Sequence, residues 1–258
     1  MAFALITGAS KGIGKNIAEE LAKRKTDVLL VARSQNLLQQ LCNTLQQQYG
    51  IKAFYFVADL SQANAPQQIL SWCQTNNYAV NILVNNAGYG LSGLFEKYSE
   101  ADHVNMLQVN VVSLVQLTSL FLPLLKKQPS PSYILNIASS AAYQAVPYLA
   151  VYSASKSFVL SFSRALHYEL KKTNISVTCV CPGPTDTDFP QRANIGEKGK
   201  KAAEKFNMKP EDVAAIAVQK MFGKKTEVIT GFANKLGAAL AWLAPKGIAE
   251  KTAASIYE

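Results

Sequence analysis

The sequence predicts an α/β fold: one doubly wound parallel sheet with helices on both faces. Three observations predict it. Short, charge-poor apolar runs alternate with stretches of helical periodicity along nearly the whole chain. A glycine-rich turn joins the first run to the first helix. Residues suited to ligand work stand at the C-terminal ends of successive runs, the edge where an open parallel sheet takes its ligands.

At 258 residues the chain fits a single dinucleotide-binding and catalytic domain over 1–258. Apolar residues make up 49% and charged residues 17%, which suits a globular protein with a buried sheet. The apolar runs are short and interrupted, so no membrane span is expected. The start, M-A-F-A-L-I-T-G, enters a strand directly with no basic leader. Cys42, Cys73, Cys179 and Cys181 form no C-x-x-C, and free buried thiols are expected, with neither metal nor disulfide. Both features point to a reducing cytoplasm. The net charge of +9 suits phosphorylated ligands. It comes without basic-aromatic interleaving or a nucleic-acid motif, so no nucleic-acid partner is expected.

The first strand is Phe3 to Thr7. T-G-A-S-K-G-I-G follows, then Ile13, Ile17 and Leu21 at helical spacing through Lys25. Strand, glycine turn and helix make the setting for a pyrophosphate: glycines allow close approach, and the helix start offers unpaired N–H groups. Gly8, Ser10, Lys11, Gly12, Ile13 and Gly14 are therefore cofactor candidates. The second strand, Asp27 to Ala32, ends at Arg33 and Ser34. An NAD-specific site usually carries an acid there, about 20 residues past the glycines. An arginine pairs instead with a 2′-phosphate, and Lys11 can reach the same group, which favours NADP(H).

A helix is expected from Ser34 to Tyr49, and a third strand from Ile51 to Ala58, ending at Asp59 and Leu60. Asp59 either accepts from an adenine amino group or caps the next helix, which Pro66 opens and which runs to about Asn76. The fourth strand, Asn81 to Asn85, ends in N-N-A-G-Y-G, where Asn86, Ala87 and Gly88 can approach a cofactor closely. Asn85 and Asn86 can also tie strand ends together. Helices are expected over Glu100 to Asn110 and Val111 to Lys127. Asn110 between them looks buried, and its amide needs backbone partners or a water.

The fifth strand, Tyr133 to Ala138, leads to Ser139. A helix running to about Lys172 carries Tyr152 and Lys156, four apart and so on one face. A nearby ammonium lowers a phenol's pKa, so this pair can exchange a proton near neutrality, with Ser139 bonding the same substrate oxygen. The sixth strand, Ile175 to Cys181, ends in P-G-P-T-D-T-D, where Pro182, Gly183 and Thr185 are cofactor contacts. A lid is expected over about 187–209, without strand and with Arg192, Lys198, Lys200, Lys201 and Lys205 in it and Lys209 at its end. A helix from Pro210 to about Phe222 and a strand from Glu227 to Thr230 follow. His103 and His167 stand alone, as packed or surface residues.

The chain resembles the short-chain dehydrogenase/reductase family over roughly Phe3 to Thr230. The resemblance rests on T-G-A-S-K-G-I-G, N-N-A-G, Asn110, a serine thirteen positions before the tyrosine, Y-S-A-S-K and P-G-P-T. It implies a Rossmann-type sheet, Tyr152 as general acid and base, and Lys156 binding the nicotinamide ribose while acidifying Tyr152. It implies Ser139 polarising the carbonyl and Asn110 holding a proton-relay water. Ser140, at twelve, does not match. It also implies a homodimer or homotetramer and a hydride passed between NADP(H) and a carbonyl or secondary alcohol. The apolar loops Gly90 to Phe95, Tyr143 to Tyr148 and Phe189 to Phe206 favour an apolar ketone.

A non-catalytic NADP(H)-binding regulator or scaffold is the alternative, and the intact Ser, Tyr, Lys and Asn set speaks against it. After V-I-T-G the chain departs from the family habit of a short tail. An apolar, helix-like extension, about 231–258, runs on with lysines at intervals. The extended form is similar to members that reduce ketones on lipids, steroids or acyl chains. Three roles stay open for the tail: packing on a partner subunit, closing the pocket, or weak contact with a membrane surface.

Overall fold

Seven parallel strands form one sheet in the order β3-β2-β1-β4-β5-β6-β7. The computed structural model describes residues 2–204 and 207–257. The strands are β1 (Phe3–Thr7), β2 (Asp27–Ala32), β3 (Ala53–Val57), β4 (Val80–Asn85), β5 (Ser132–Ile137), β6 (Ile175–Cys181) and β7 (Glu227–Ile229). The helices are α1 (Gly12–Lys23), α2 (Gln35–Tyr49), α3 (Ala65–Thr75), α4 (Glu100–Leu107), α5 (Ser113–Lys126), α6 (Ala150–Leu170), α7 (Phe189–Arg192), α8 (Glu197–Glu204), α9 (Pro210–Phe222), α10 (Phe232–Leu243) and α11 (Lys246–Tyr257).

The apolar runs become strands because both faces of the sheet are covered. Alternate residues serve opposite layers. Ala4, Ile6, Val28 and Leu30 pack with α1, α2 and α9, through Ile17, Leu21, Leu38 and Val218. Phe3, Leu5, Leu29 and Val31 pack with α3, α5 and α6, through Ile69, Phe121 and Leu166. The chain leaves β1 toward β2 and β3, then returns to β4 on the other side of β1. The crevice where the order reverses is the ligand-binding edge of such sheets.

The expected elements form, with shifts of one to three residues at most ends. The third strand is the shorter Ala53–Val57, because it lies at the sheet edge. The helices expected on either side of Asn110 are joined by a π turn at Gln108–Val112, so the path from Glu100 to Lys126 is continuous. An 18-residue stretch of this 27-residue helix has a mean hydropathy of 1.6, long and apolar enough to cross a membrane, which the reading of short interrupted runs did not anticipate. Its buried Leu117, Phe121 and Leu125 pack with Leu83 of β4 and Ile134 of β5, which makes it a layer of the α/β body.

The segment expected as a lid contains α7 and α8, and an isolated bridge joins Thr185 to Met208. Lys205 and Phe206, counted in the lid and in the pocket wall, lie outside the described residues. The tail is helical, as α10 and α11.

Candidate active site

Thr7 ends β1 and Asn85 ends β4, and hydrogen bonds join the two ends. Thr7 Oγ1 donates to Val84 O (3.2 Å) and accepts from the backbone N–H of Asn86 (3.1 Å) and Ala87 (3.2 Å). Asn86 Nδ2 donates to Thr7 O (2.9 Å) and Gly8 O (3.2 Å). Gly8 and Gly12 adopt the left-handed φ values of 64° and 55° that favour glycine. A Cβ on Gly14 would collide with the Gly8 carbonyl and the Asn86 amide. The turn is thus a closely packed cradle. The start of α1 has no side-chain cap, which leaves its first N–H groups for an anion.

A cavity of about 740 Å³ opens from this cradle and runs to the end of β5. Its wall holds Gly8, Ser10, Lys11, Gly12, Ile13, Arg33, Ser34, Asp59, Leu60, Asn86, Ala87 and Gly88 at one end. Ser139, Tyr152, Lys156, Pro182, Gly183 and Thr185 stand at the other. Of the residues named from sequence, Gly14 and Asn110 stand behind the wall. Gly14 packs beneath the turn, and Asn110 lies beneath Gly88, whose Cβ would sit 3.1 Å from Asn110 Oδ1 and 3.2 Å from Lys156 Nζ. The space, the cation at the second strand end and the uncapped helix start fit an extended dinucleotide carrying phosphates.

Arg33 Nη1 lies 4.0 Å from Asp59 Oδ2 and is well exposed at the rim. Asp59 Oδ1 accepts from the backbone N–H of Ser61 (3.0 Å), a turn contact rather than the cap of α3, whose start at Asn64 has no side-chain cap. Lys11 Nζ donates to Asp188 Oδ2 at 2.7 Å, a partner 177 residues away that sequence reasoning missed. Beside it, a Cβ on Gly12 would lie 3.1 Å from Thr187 Cγ2. The segment leading into α7 therefore leans on the glycine turn.

At the reactive end, α6 carries Tyr152 and Lys156 on one buried face. Lys156 Nζ donates to Ile137 O (2.9 Å) and lies 5.9 Å from the centre of the Tyr152 ring. Ser139 leaves β5 in extended conformation and its Oγ accepts from the Ala141 N–H (3.1 Å). Burial pushes the Tyr152 phenol up to about 12, with the Ser139 hydroxyl pulling it back and Tyr257 adding to the rise. Burial likewise takes the Lys156 amine down from 10.5 to about 8, against an upward pull from Cys179 and Cys181. The expected acidification of the phenol by the ammonium is thereby corrected. Desolvation is the largest cause of the shift, and the amine is turned toward a carbonyl oxygen. What results is a protonated phenol suited to giving a proton.

Asn110 sits within the π turn, a distortion common at functional sites because it re-aims a side chain out of helical register. Its Nδ2 donates to Tyr89 O (2.9 Å) and Ser155 Oγ (3.1 Å), and its Oδ1 accepts from the Tyr89 N–H (3.0 Å). Backbone partners, one of the two expected kinds, are found at Tyr89, and the Ser155 hydroxyl is a further partner. The amide clamps the strand-four loop onto α6.

The pocket wall is only partly the expected one. Val146, Leu149 and Met106 pack with Tyr152, and Phe189 packs on its ring at 5.2 Å between centroids. Tyr143 turns away, donating to Glu227 Oε1 (2.5 Å), and Phe95 is exposed and stacked on His103. In their place Tyr257, from α11, enters the wall. No motif announces it; only the apolar tail hinted at a closing role. The four cysteines are free and buried, with Cys179 and Cys181 Sγ 4.0 Å apart on one face of β6. His167 bonds Val177 O (2.8 Å) and Thr226 Oγ1 (3.1 Å), a packed role.

The lowered Lys156 pKa has a defined effect on stability. Between about 8 and 10.5 the unfolded chain binds a proton at this site that the folded chain does not, so stability rises with pH there. Below about 8 the full penalty of the buried amine applies. Lys156→Met should therefore be stabilised relative to the native protein below that value, with the gap closing toward 10.5. Urea unfolding of both proteins across this range checks it; a gap that does not change with pH rejects the buried-amine assignment.

The short chain dehydrogenase family profile matches residues 2–198. The chain is 33% identical over 234 residues to the ketoacyl reductase HetN of Nostoc sp., covering 87% of this chain and 77% of that protein. It is 37% identical over 185 residues to the very-long-chain 3-oxoacyl-CoA reductase of Anas platyrhynchos, covering 70% of this chain and 59% of the relative's length. A 7beta-hydroxysteroid dehydrogenase shares the fold at a TM-score of 0.88 and 23% identity, over 98% of this chain and 96% of that one. A Sphingobium yanoikuyae short-chain dehydrogenase solved with NADPH aligns at 0.82 and 28% identity, over 93% and 92%. With the cradle, the switch-point cavity and the Ser–Tyr–Lys end on one sheet edge, this chain belongs to the short-chain dehydrogenase/reductase family of oxidoreductases.

Proposed function

We propose that the protein interconverts a carbonyl and a secondary alcohol on a fairly apolar ketone, with NADP(H) as its cofactor. The observation that carries this reading is the single cavity joining Arg33 at one end to Tyr152 at the other. Arg33 places a cation where the second strand ends, and Lys11 is near once Asp188 is displaced, so both favour a 2′-phosphate over a bare ribose. The Sphingobium relative is solved with NADPH, while a Burkholderia phymatum family structure is solved with NAD, so the preference rests on Arg33 and Lys11. The relatives' names, a ketoacyl reductase and a 3-oxoacyl-CoA reductase, agree with a ketone on an acyl chain.

When bound, the nicotinamide supplies or accepts the hydride at the carbonyl carbon. The chain's own residues handle the oxygen. Tyr152, protonated over the whole neutral range, gives its phenolic proton to the carbonyl oxygen in reduction, and Ser139 holds that oxygen by a hydrogen bond. Charge growing on oxygen thus meets donors already in place. Lys156, with its amine near half-protonation at about 8, returns a proton toward Tyr152. Asn110 holds Gly88 and α6 at fixed distance around that amine. Phe189, Val146, Leu149 and Tyr257 shut water from the reactive end. Apolar Val104, Leu107 and Val112, exposed on the long helix, and Phe158 on α6 support a homo-oligomer.

Three variants test the reading. Tyr152→Phe should lower carbonyl reduction by about 10²- to 10⁴-fold while NADPH binding, read by cofactor fluorescence, stays near the native value. Full activity in this variant rejects the assignment. Arg33→Ala should weaken NADPH binding by about tenfold and leave NADH binding unchanged; equal loss for both would remove the argument for NADP(H). Tyr257→Ala should change KM for long-chain ketones and leave kcat on a small ketone intact, as a steady-state panel would show.

A further inference from the structure

The C-terminal extension has two faces, and α11 uses only one of them, sending Tyr257 into the cavity. Helix α10 is built the other way round from an ordinary surface helix. The residues it buries are Ala238 and Ala241. Asn234 anchors the same side, its Nδ2 donating to Thr230 O at 2.8 Å and its amide packed where a Cβ on Gly183 would stand. The large apolar side chains point outward: Phe232 is 82% exposed, Trp242 74% and Leu243 70%, with Leu236 and Leu240 beside them and Ile248 following at the start of α11. Burying small residues and exposing large ones is the reverse of what water favours.

We infer that α10 and the first turn of α11 form an interfacial helix that seats the protein on an anionic lipid surface. Charge decides between this occupant and a second copy of the chain. Lys235 lies within the apolar face and Lys246 at its C-terminal end, both exposed, while Lys251 stands beside the exposed Glu250 outside this segment. From Val228 to Ala249 the sequence contains no Asp or Glu. Two copies pairing through this face would bring like charges together with no carboxylate from the segment to neutralise them, an unfavourable burial. A lipid surface has no such conflict. The apolar face sinks among acyl chains, the lysine stems extend along it, and the ammonium groups meet anionic headgroups. Trp242 near the C-terminal end of α10 suits the headgroup boundary, where an apolar ring with one N–H donor is at home. The reading narrows the three roles left open for the tail: α11 closes the pocket and α10 meets the membrane. It does not depend on the proposed reaction.

The test uses the full chain and vesicles of phosphatidylcholine with or without phosphatidylglycerol. Only two tryptophans exist, so Trp72→Phe leaves Trp242 as the sole reporter. Anionic vesicles at low salt should shift its emission to the blue and carry the protein into the vesicle pellet, and high salt should weaken both. Leu236→Glu/Leu240→Glu should lower vesicle binding by about tenfold or more without changing the melting temperature. Lys235→Gln/Lys246→Gln should lose binding to anionic vesicles selectively. Absence of binding at low salt overturns the inference, as does equal binding to neutral and anionic vesicles. A stable dimer that the double glutamate variant splits, with no vesicle binding by the native protein, assigns the face to a second copy instead.

Discussion

The junction between the ends of β1 and β4 is the constraint on which the site depends. Here neighbouring strands are consecutive in space but far apart in sequence, and the glycine turn must follow one of them at close range. Thr7 and Asn86 supply the bonds that hold the ends together, 79 residues apart in the chain. Asn86 also fills the space that a side chain on Gly8 or Gly14 would need. The turn therefore has its shape for two linked reasons: the backbone angles favour glycine, and the asparagine occupies the volume. A second tie repeats the idea across the next strands, where Asn85 donates to Asn136 (2.9 Å) and Asn136 to Ser163 (2.8 Å). A third, from the Ser140 N–H to Pro182 O (2.7 Å), joins the ends of β5 and β6. The sheet edge is stitched side to side by polar groups, and the cavity lies on that stitching.

Burial sets the chemistry of the reactive end more than charge pairing does. The side chains of Tyr152 and Lys156 stand in the same low-dielectric wall, so each is pushed toward its neutral form. In the proposed reaction the neutral phenol serves as the donor to an oxygen that becomes basic, and the amine near half-protonation as a relay that moves a proton either way. The two shifts are opposite in sign and have one cause. Asn110 belongs to the same design at one remove. The π turn takes its side chain out of the regular helical path, and its three bonds fix the loop that passes beside Lys156.

The C-terminal extension adds to this common framework a part that acts in two directions. Tyr257 returns to the cavity and stands near Tyr152, and the α11 helix that brings it packs with α8. Thus the wall of the reactive end is contributed partly by Tyr257 at the end of α11. The preceding helix holds Gly183 with Asn234 while presenting Phe232, Leu236 and Leu240 outward. An event at the outer face is therefore one helix diameter from the loop that closes the cofactor cavity.

What the sequence determined by itself is what neighbouring residues dictate. Short, charge-poor, β-branched runs such as Val28 to Ala32 and Ile175 to Cys181 favour a covered strand. The spacing of Gly8, Gly12 and Gly14 before a helix specifies a tight turn at a helix start, a geometry that suits an anion. The four-residue interval from Tyr152 to Lys156 specifies one helical face. Tertiary structure alone decided everything that depends on residues distant in the chain. It joined two helices through the π turn at Asn110, paired Lys11 with Asp188, and turned Tyr143 out of the wall while bringing Tyr257 into it. It also reversed the expected direction of the Tyr152 shift, because a pKa follows from solvent excluded by the whole fold, and spacing carries no record of how much water the packed neighbours leave behind.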